Sequence, residues 1–79
     1  MIAPDESAER WFLVTVKYAT KRGELRTWHG NVYATWDSVH EAASAAATKA
    51  RRRSVHHVYG SDATAYDLGY VPSDARPRR

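Results

Sequence analysis

The chain has 79 residues, enough for one domain but too few for a cleft between lobes or a large enclosed cofactor. It contains no cysteine, which excludes a disulfide scaffold, a thiolate zinc site and a thiol nucleophile. Its formal charge of +3 is mildly basic, short of the charge density of a protein that wraps nucleic acid.

Residues 1–9 hold Pro4, Asp5, Glu6, Ser7 and Glu9 and read as a flexible acidic leader, too polar and too early broken for a signal peptide. No run approaches the ~18 apolar residues of a membrane span, so no membrane partner is expected. The single domain is expected over 10–71, followed by a disordered basic tail over 72–79.

Arg10 to Tyr18 is β-branched and aromatic with few breakers, and predicts a strand. Phe12, Val14, Val16 and Tyr18 share one face; Trp11, Leu13 and Thr15 share the other. A strand apolar on both faces belongs at the centre of a sheet. Thr20 to Glu24 forms a polar turn in which Gly23 supplies a positive φ. A second strand follows from about Leu25 to Thr35. It sends Trp28, Val32 and Ala34 to the core and His29, Asn31 and Tyr33 to the opposite face. Gly30 inside this run predicts a bulge or a close backbone approach.

Ser38 and Glu41 have the spacing of a capping box, and a helix is expected to run to about Arg53. Val39, Ala42, Ala43, Ala46 and Ala50 make its apolar face, small enough to sit close on a sheet. Lys49, Arg51, Arg52 and Arg53 crowd its C-terminal end, where cations complement the dipole. A third strand is expected at Val55–Tyr59, a turn at Gly60–Asp62, and a short fourth strand between Ala63 and Tyr70. The fold expected is therefore α+β, ββαβ(β): an antiparallel sheet of order 2-1-3, any fourth strand outside the third, with one helix on one face.

No catalytic signature is present: no Gly-x-Ser-x-Gly turn, no Gly-rich phosphate loop, no supported carboxylate pair. The chain reads as non-enzymatic and without a cofactor. His56 and His57 are adjacent in a strand and point to opposite faces, so they do not share a metal; no metal site is expected. The sheet face away from the helix has no cover in this scheme. Trp11, His29 and Tyr33 on that face, with Arg51, Arg52 and Arg53 at the helix end, are the expected partner-binding residues. Trp28 is left out because its parity puts it beneath the helix. A protein partner is the leading expectation, with a homodimer through the open face as one form of it. A nucleic-acid-binding regulator using the basic helix end is the alternative.

A single domain below 80 residues, without cysteine or cofactor motif, with one alanine-rich helix (Ala42 to Ala50) on a short-stranded sheet, resembles the small phage-encoded anti-CRISPR proteins of type I. The resemblance is of format, with no shared motif. It implies a stoichiometric inhibitor in the cytoplasm of a bacterial host cell, one that binds a subunit of a CRISPR surveillance complex and blocks DNA recognition. Many such inhibitors are acidic and imitate DNA; at +3 this chain is not expected to.

Overall fold

The computed structural model describes residues 8–75. The expected leader therefore lies almost wholly outside the described residues, as do Arg76–Arg79 of the expected tail. Strand β1 (Arg10–Ala19) and strand β2 (Leu25–Ala34) form a hairpin. Helix α1 (Val39–Ala50) crosses one face of the sheet, and strand β3 (His57–Ala65) returns along the other edge of β1. Both pairings are antiparallel and the order is β2-β1-β3, as the two-sided apolarity of β1 predicts. The domain is α+β.

The parity of the strands decides what is buried. Phe12, Val14 and Val16 are fully buried and meet Val32 and Ala34 of β2 and Val39, Ala43 and Ala47 of α1. Burying each such Val or Phe side chain contributes about 1.5–3 kcal/mol before entropy is subtracted. Alanines let the helix approach closely, so this small core needs few large side chains. Trp28, Val58, Ala63 and Ala65 pack around its margin. Trp36, just after β2, closes the end of the core by meeting Phe12 edge to face at 4.9 Å. The helix ends at Ala50 rather than near Arg53, and its face differs from expectation at two positions. Ala47 is buried and Ala50, the last helical residue, is exposed, because the final turn runs past the core.

The two glycines in the hairpin behave as the sequence implies. Gly23 has φ +83° and closes the turn, its N–H donating to the Thr20 carbonyl at 2.9 Å. Gly30 is a site of close approach: the indole of Trp28 lies where a Cβ would be.

The helix start is built differently from the Ser38–Glu41 box. No side-chain cap reaches from Ser38 into the helix. Ser38 pairs backwards with Thr35 instead. The Thr35 N–H donates to Ser38 Oγ at 3.1 Å, and the Ser38 N–H donates to Thr35 Oγ1 at 3.2 Å. This is the reciprocal logic of a capping box moved one turn upstream, so that it orders the turn at 36–38 that leads into α1. A further tie, His40 Nδ1 to Ser61 Oγ at 2.7 Å, joins the first helical turn to β3.

Two expectations fail beyond the helix. Val55 lies ahead of β3, and the expected turn at Gly60–Asp62 is instead the middle of that strand, so Ala63–Ala65 complete β3 rather than begin a fourth strand. Pairing with the strong central strand overrides the turn preference of Gly60, Ser61 and Asp62, which an edge strand tolerates. Residues 66–70 form no strand. Among the described residues beyond 71, Pro72 is buried and Ser73–Ala75 make a short 3-10 turn. The segment after β3 is held at three places. The Tyr66 N–H donates to the Trp11 carbonyl at 3.0 Å, and the Arg10 guanidinium donates to the Tyr66 carbonyl at 2.9 Å. Asn31 receives the Tyr66 hydroxyl at 3.0 Å and donates to the Asp74 carboxylate at 3.0 Å.

Candidate nucleic-acid interface

The sheet face away from the helix has the expected register, but it is not left without cover by the chain as expected. Trp11 stands opposite Tyr33, Leu13 opposite Asn31, Thr15 opposite His29 and Lys17 opposite Thr27. Trp11 and Tyr33 make a tilted ring pair at 5.4 Å; Trp11 is half-buried and Tyr33 is exposed. His29 is exposed and its Nδ1 lies 3.2 Å from Thr15 Oγ1. The face is not bare throughout. Asn31 is engaged by Tyr66 and Asp74, so the segment after β3 reaches this side of the sheet.

The arginines of the helix end divide. Arg51 and Arg53 line a cavity of about 530 Å³; Arg52 is exposed and does not. The opposite wall comes from the hairpin, with Lys21, Arg22 and Arg26, residues the sequence reading left unassigned. Five cations thus converge on one cavity whose lining includes a single carboxylate, Glu24. Glu24 is taken up by Arg26 at 3.4 Å, through side chains that are about half exposed, 52% and 56%. Lys21, Arg22, Arg51 and Arg53 have no ion-pair partner among the described residues. The hydroxyls of Thr20, Thr27 and Ser54 are interspersed among the cations.

Chain topology causes the convergence. β1 runs toward the hairpin turn, β2 runs back, and α1 runs forward again, so the helix ends beside that turn. The Arg51 N–H donates to the Ala47 carbonyl at 2.9 Å, and the Ser54 and Val55 N–H groups both donate to the Arg51 carbonyl at 2.7 and 3.0 Å. This tight turn fixes the backbone that carries Arg51 and Arg53 beside the hairpin. Such an arrangement of exposed guanidinium and ammonium groups favours a ligand with repeated negative charge.

A second hollow, of about 410 Å³, opens on the sheet face at the same end of the molecule and is lined by Lys17, Leu25, Arg26, Thr27 and Tyr59. Arg26 and Thr27 line both hollows, so the two flank the same stretch of β2. Tyr59 and Leu25 were not singled out from sequence. Both are highly exposed, at 63% and 75%.

Among the described residues no group of three or more His, Asp or Glu is placed to hold a metal ion, and no helix is long and apolar enough to cross a membrane. No protein-family model, curated protein or solved structure matches this chain.

Proposed function

We propose that this is a small non-enzymatic binding protein that docks on the phosphate backbone of nucleic acid through the cavity between the β1–β2 turn and the end of α1. One observation carries the reading: Lys21, Arg22 and Arg26 meet Arg51 and Arg53 around one cavity, against the single carboxylate of Glu24. Isolated cations at a helix end are explained by the dipole alone. Two clusters distant in sequence and facing one space are not. Long, exposed side chains without partners also fit a polyanion better than a small enclosed ligand, whose site would hold buried, fixed donors.

The test is fluorescence anisotropy with labelled oligonucleotides at two salt concentrations. Binding should weaken as salt rises, with log K falling by roughly 0.7–0.9 per phosphate contact for each tenfold rise in salt. The double variant Arg22→Glu/Arg53→Glu should lose binding and flatten the salt dependence. Lys49→Glu/Arg52→Glu changes the net charge equally but lies outside the cavity, and should bind nearly as the parent does. Equal losses in the two variants, or no salt-dependent binding by the parent, would reject the reading.

A second reading, inhibition of a protein partner in the host cytoplasm, is favoured by the exposure of Leu13 and Tyr33 beside Trp11 on the sheet face. A CRISPR effector subunit is the partner that the anti-CRISPR resemblance implies. It predicts that the parent protein blocks target-DNA retention by a type I surveillance complex, and that Leu13→Asp/Tyr33→Ala does not. Retention unchanged by the parent protein would remove that partner.

A further inference from the structure

A second hollow, holding an exposed aromatic ring, lies beside the cationic cavity. The ring is that of Tyr59. The β1–β3 ladder slips between Lys17 and Tyr18: Lys17 pairs with Gly60 and Tyr18 with Val58, so that Tyr59 is the extra residue of a bulge. Bulges re-aim side chains, and they gather at edges and next to functional sites. This one places an aromatic ring, 63% exposed, in the hollow with Lys17 and Arg26. His57 meets the ring at 4.7 Å and 81°, which steadies it without burying it. Arg26 and Thr27 line both this hollow and the cavity lined by Arg22, Arg51 and Arg53, so the two flank the same stretch of the edge strand β2.

Resting on the function proposed above, we infer that the site is selective for single-stranded nucleic acid, with phosphates in the cationic cavity and one base stacked on Tyr59. A ring face beside a track of cations is the combination that binds unpaired strands, because every base presents a π-face and the backbone supplies the charge. In a duplex the bases are stacked on one another and offer the ring nothing. Leu25, 75% exposed in the same hollow, extends the apolar floor on which a base edge can rest.

The experiment uses the full chain with a labelled oligo-deoxythymidine strand and a mixed-sequence duplex of equal charge. The parent should bind the single strand more tightly. Tyr59→Ala should weaken single-strand binding by about tenfold, the scale of one lost base–aromatic stack. It should leave the duplex affinity and the salt slope unchanged, because no phosphate contact is removed. Tyr59→Phe keeps the ring and should retain single-strand affinity; its binding also guards against loss of folding as the cause. Two results would overturn the inference while leaving the cavity's phosphate binding intact. One is a Tyr59→Ala protein that binds the single strand as the parent does. The other is a parent that binds duplex as well as or better than single strand. Failure of the cavity reading itself is read separately, from the Arg22→Glu/Arg53→Glu variant.

Discussion

The indole of Trp28 lies across Gly30 so closely that a Cβ on Gly30 would fall 2.3 Å from Trp28 Cη2 and 2.5 Å from Cζ2. The two residues sit on the same face of β2, two positions apart, and the missing side chain of one makes room for the ring of the other. The ring then packs against the core from its margin. Gly30→Ala should displace the indole as a unit and cost about 1–3 kcal/mol, the usual range for overpacking. Denaturant unfolding followed by tryptophan fluorescence checks this, since the displaced ring also changes the native signal. Gly60→Ala is the control. Nothing lies within 4 Å of a Cβ there and the φ is ordinary, so it should leave stability unchanged or slightly raised.

The reciprocal pair at the helix entrance distinguishes two caps. If Thr35 and Ser38 order the turn together, Ser38→Ala should cost about 0.5–2 kcal/mol. Glu41→Gln should fall within about 0.5 kcal/mol, because Glu41 is exposed and makes no capping bond. A Glu41 effect as large as that of Ser38 would restore the box read from the sequence. Thermal melts of the two variants suffice.

Across the sheet, Trp11 and Tyr33 are direct cross-strand partners with their rings 5.4 Å apart. A double-mutant cycle with Trp11→Ala and Tyr33→Ala should give a coupling of about 0.5–1.5 kcal/mol in stability. Trp11→Ala alone should keep the fold, because the fully buried contacts of β1 are made by Phe12, Val14 and Val16.

Much of this arrangement is legible in the residues, and the reason is parity. Once Arg10–Tyr18 is a strand, alternation separates Trp28, beneath the helix, from Trp11 and Tyr33 on the other side. Apolarity on both faces then puts that strand in the middle. The positive φ at Gly23 and the close approach at Gly30 follow from the same local arguments. Where local preference and tertiary pairing disagree, sequence reading fails. Gly60, Ser61 and Asp62 spell a turn, yet β1 recruits them into β3. Nothing in the sequence marks Tyr59 as the extra residue of a bulge. The cationic cavity is a different case. Lys21–Arg22 and Arg51–Arg53 are each visible as clusters, and the expected ββα order already brings the hairpin turn and the helix end to one pole of the domain. The signal was present in the topology rather than in either run.

Asn31 is the anchor for the segment that follows β3, through Tyr66 on one side and Asp74 on the other. Asn31→Ala should loosen residues 67–75 locally, with Tyr66 still held by Trp11 and Arg10, while the main unfolding transition moves little. Hydrogen exchange resolved by residue would show faster exchange at Tyr70, whose N–H is otherwise held by the Asp67 carbonyl at 3.0 Å, and unchanged protection in β1. Global acceleration would mean that the segment is integral to the domain.

The order β2-β1-β3 also has a kinetic meaning. The central strand is made first and completed last: Phe12 pairs with Val32 in the hairpin but must wait for Ala65 on its other side. A hairpin can close within about 1–10 μs, whereas pairing of such distant segments slows folding toward the millisecond range and beyond. During synthesis, the most apolar strand of the chain therefore presents one unpaired edge until almost the whole domain has left the ribosome. A nascent chain stalled before His57 would expose a sticky hairpin, which makes the addition of β3 the step that covers that edge.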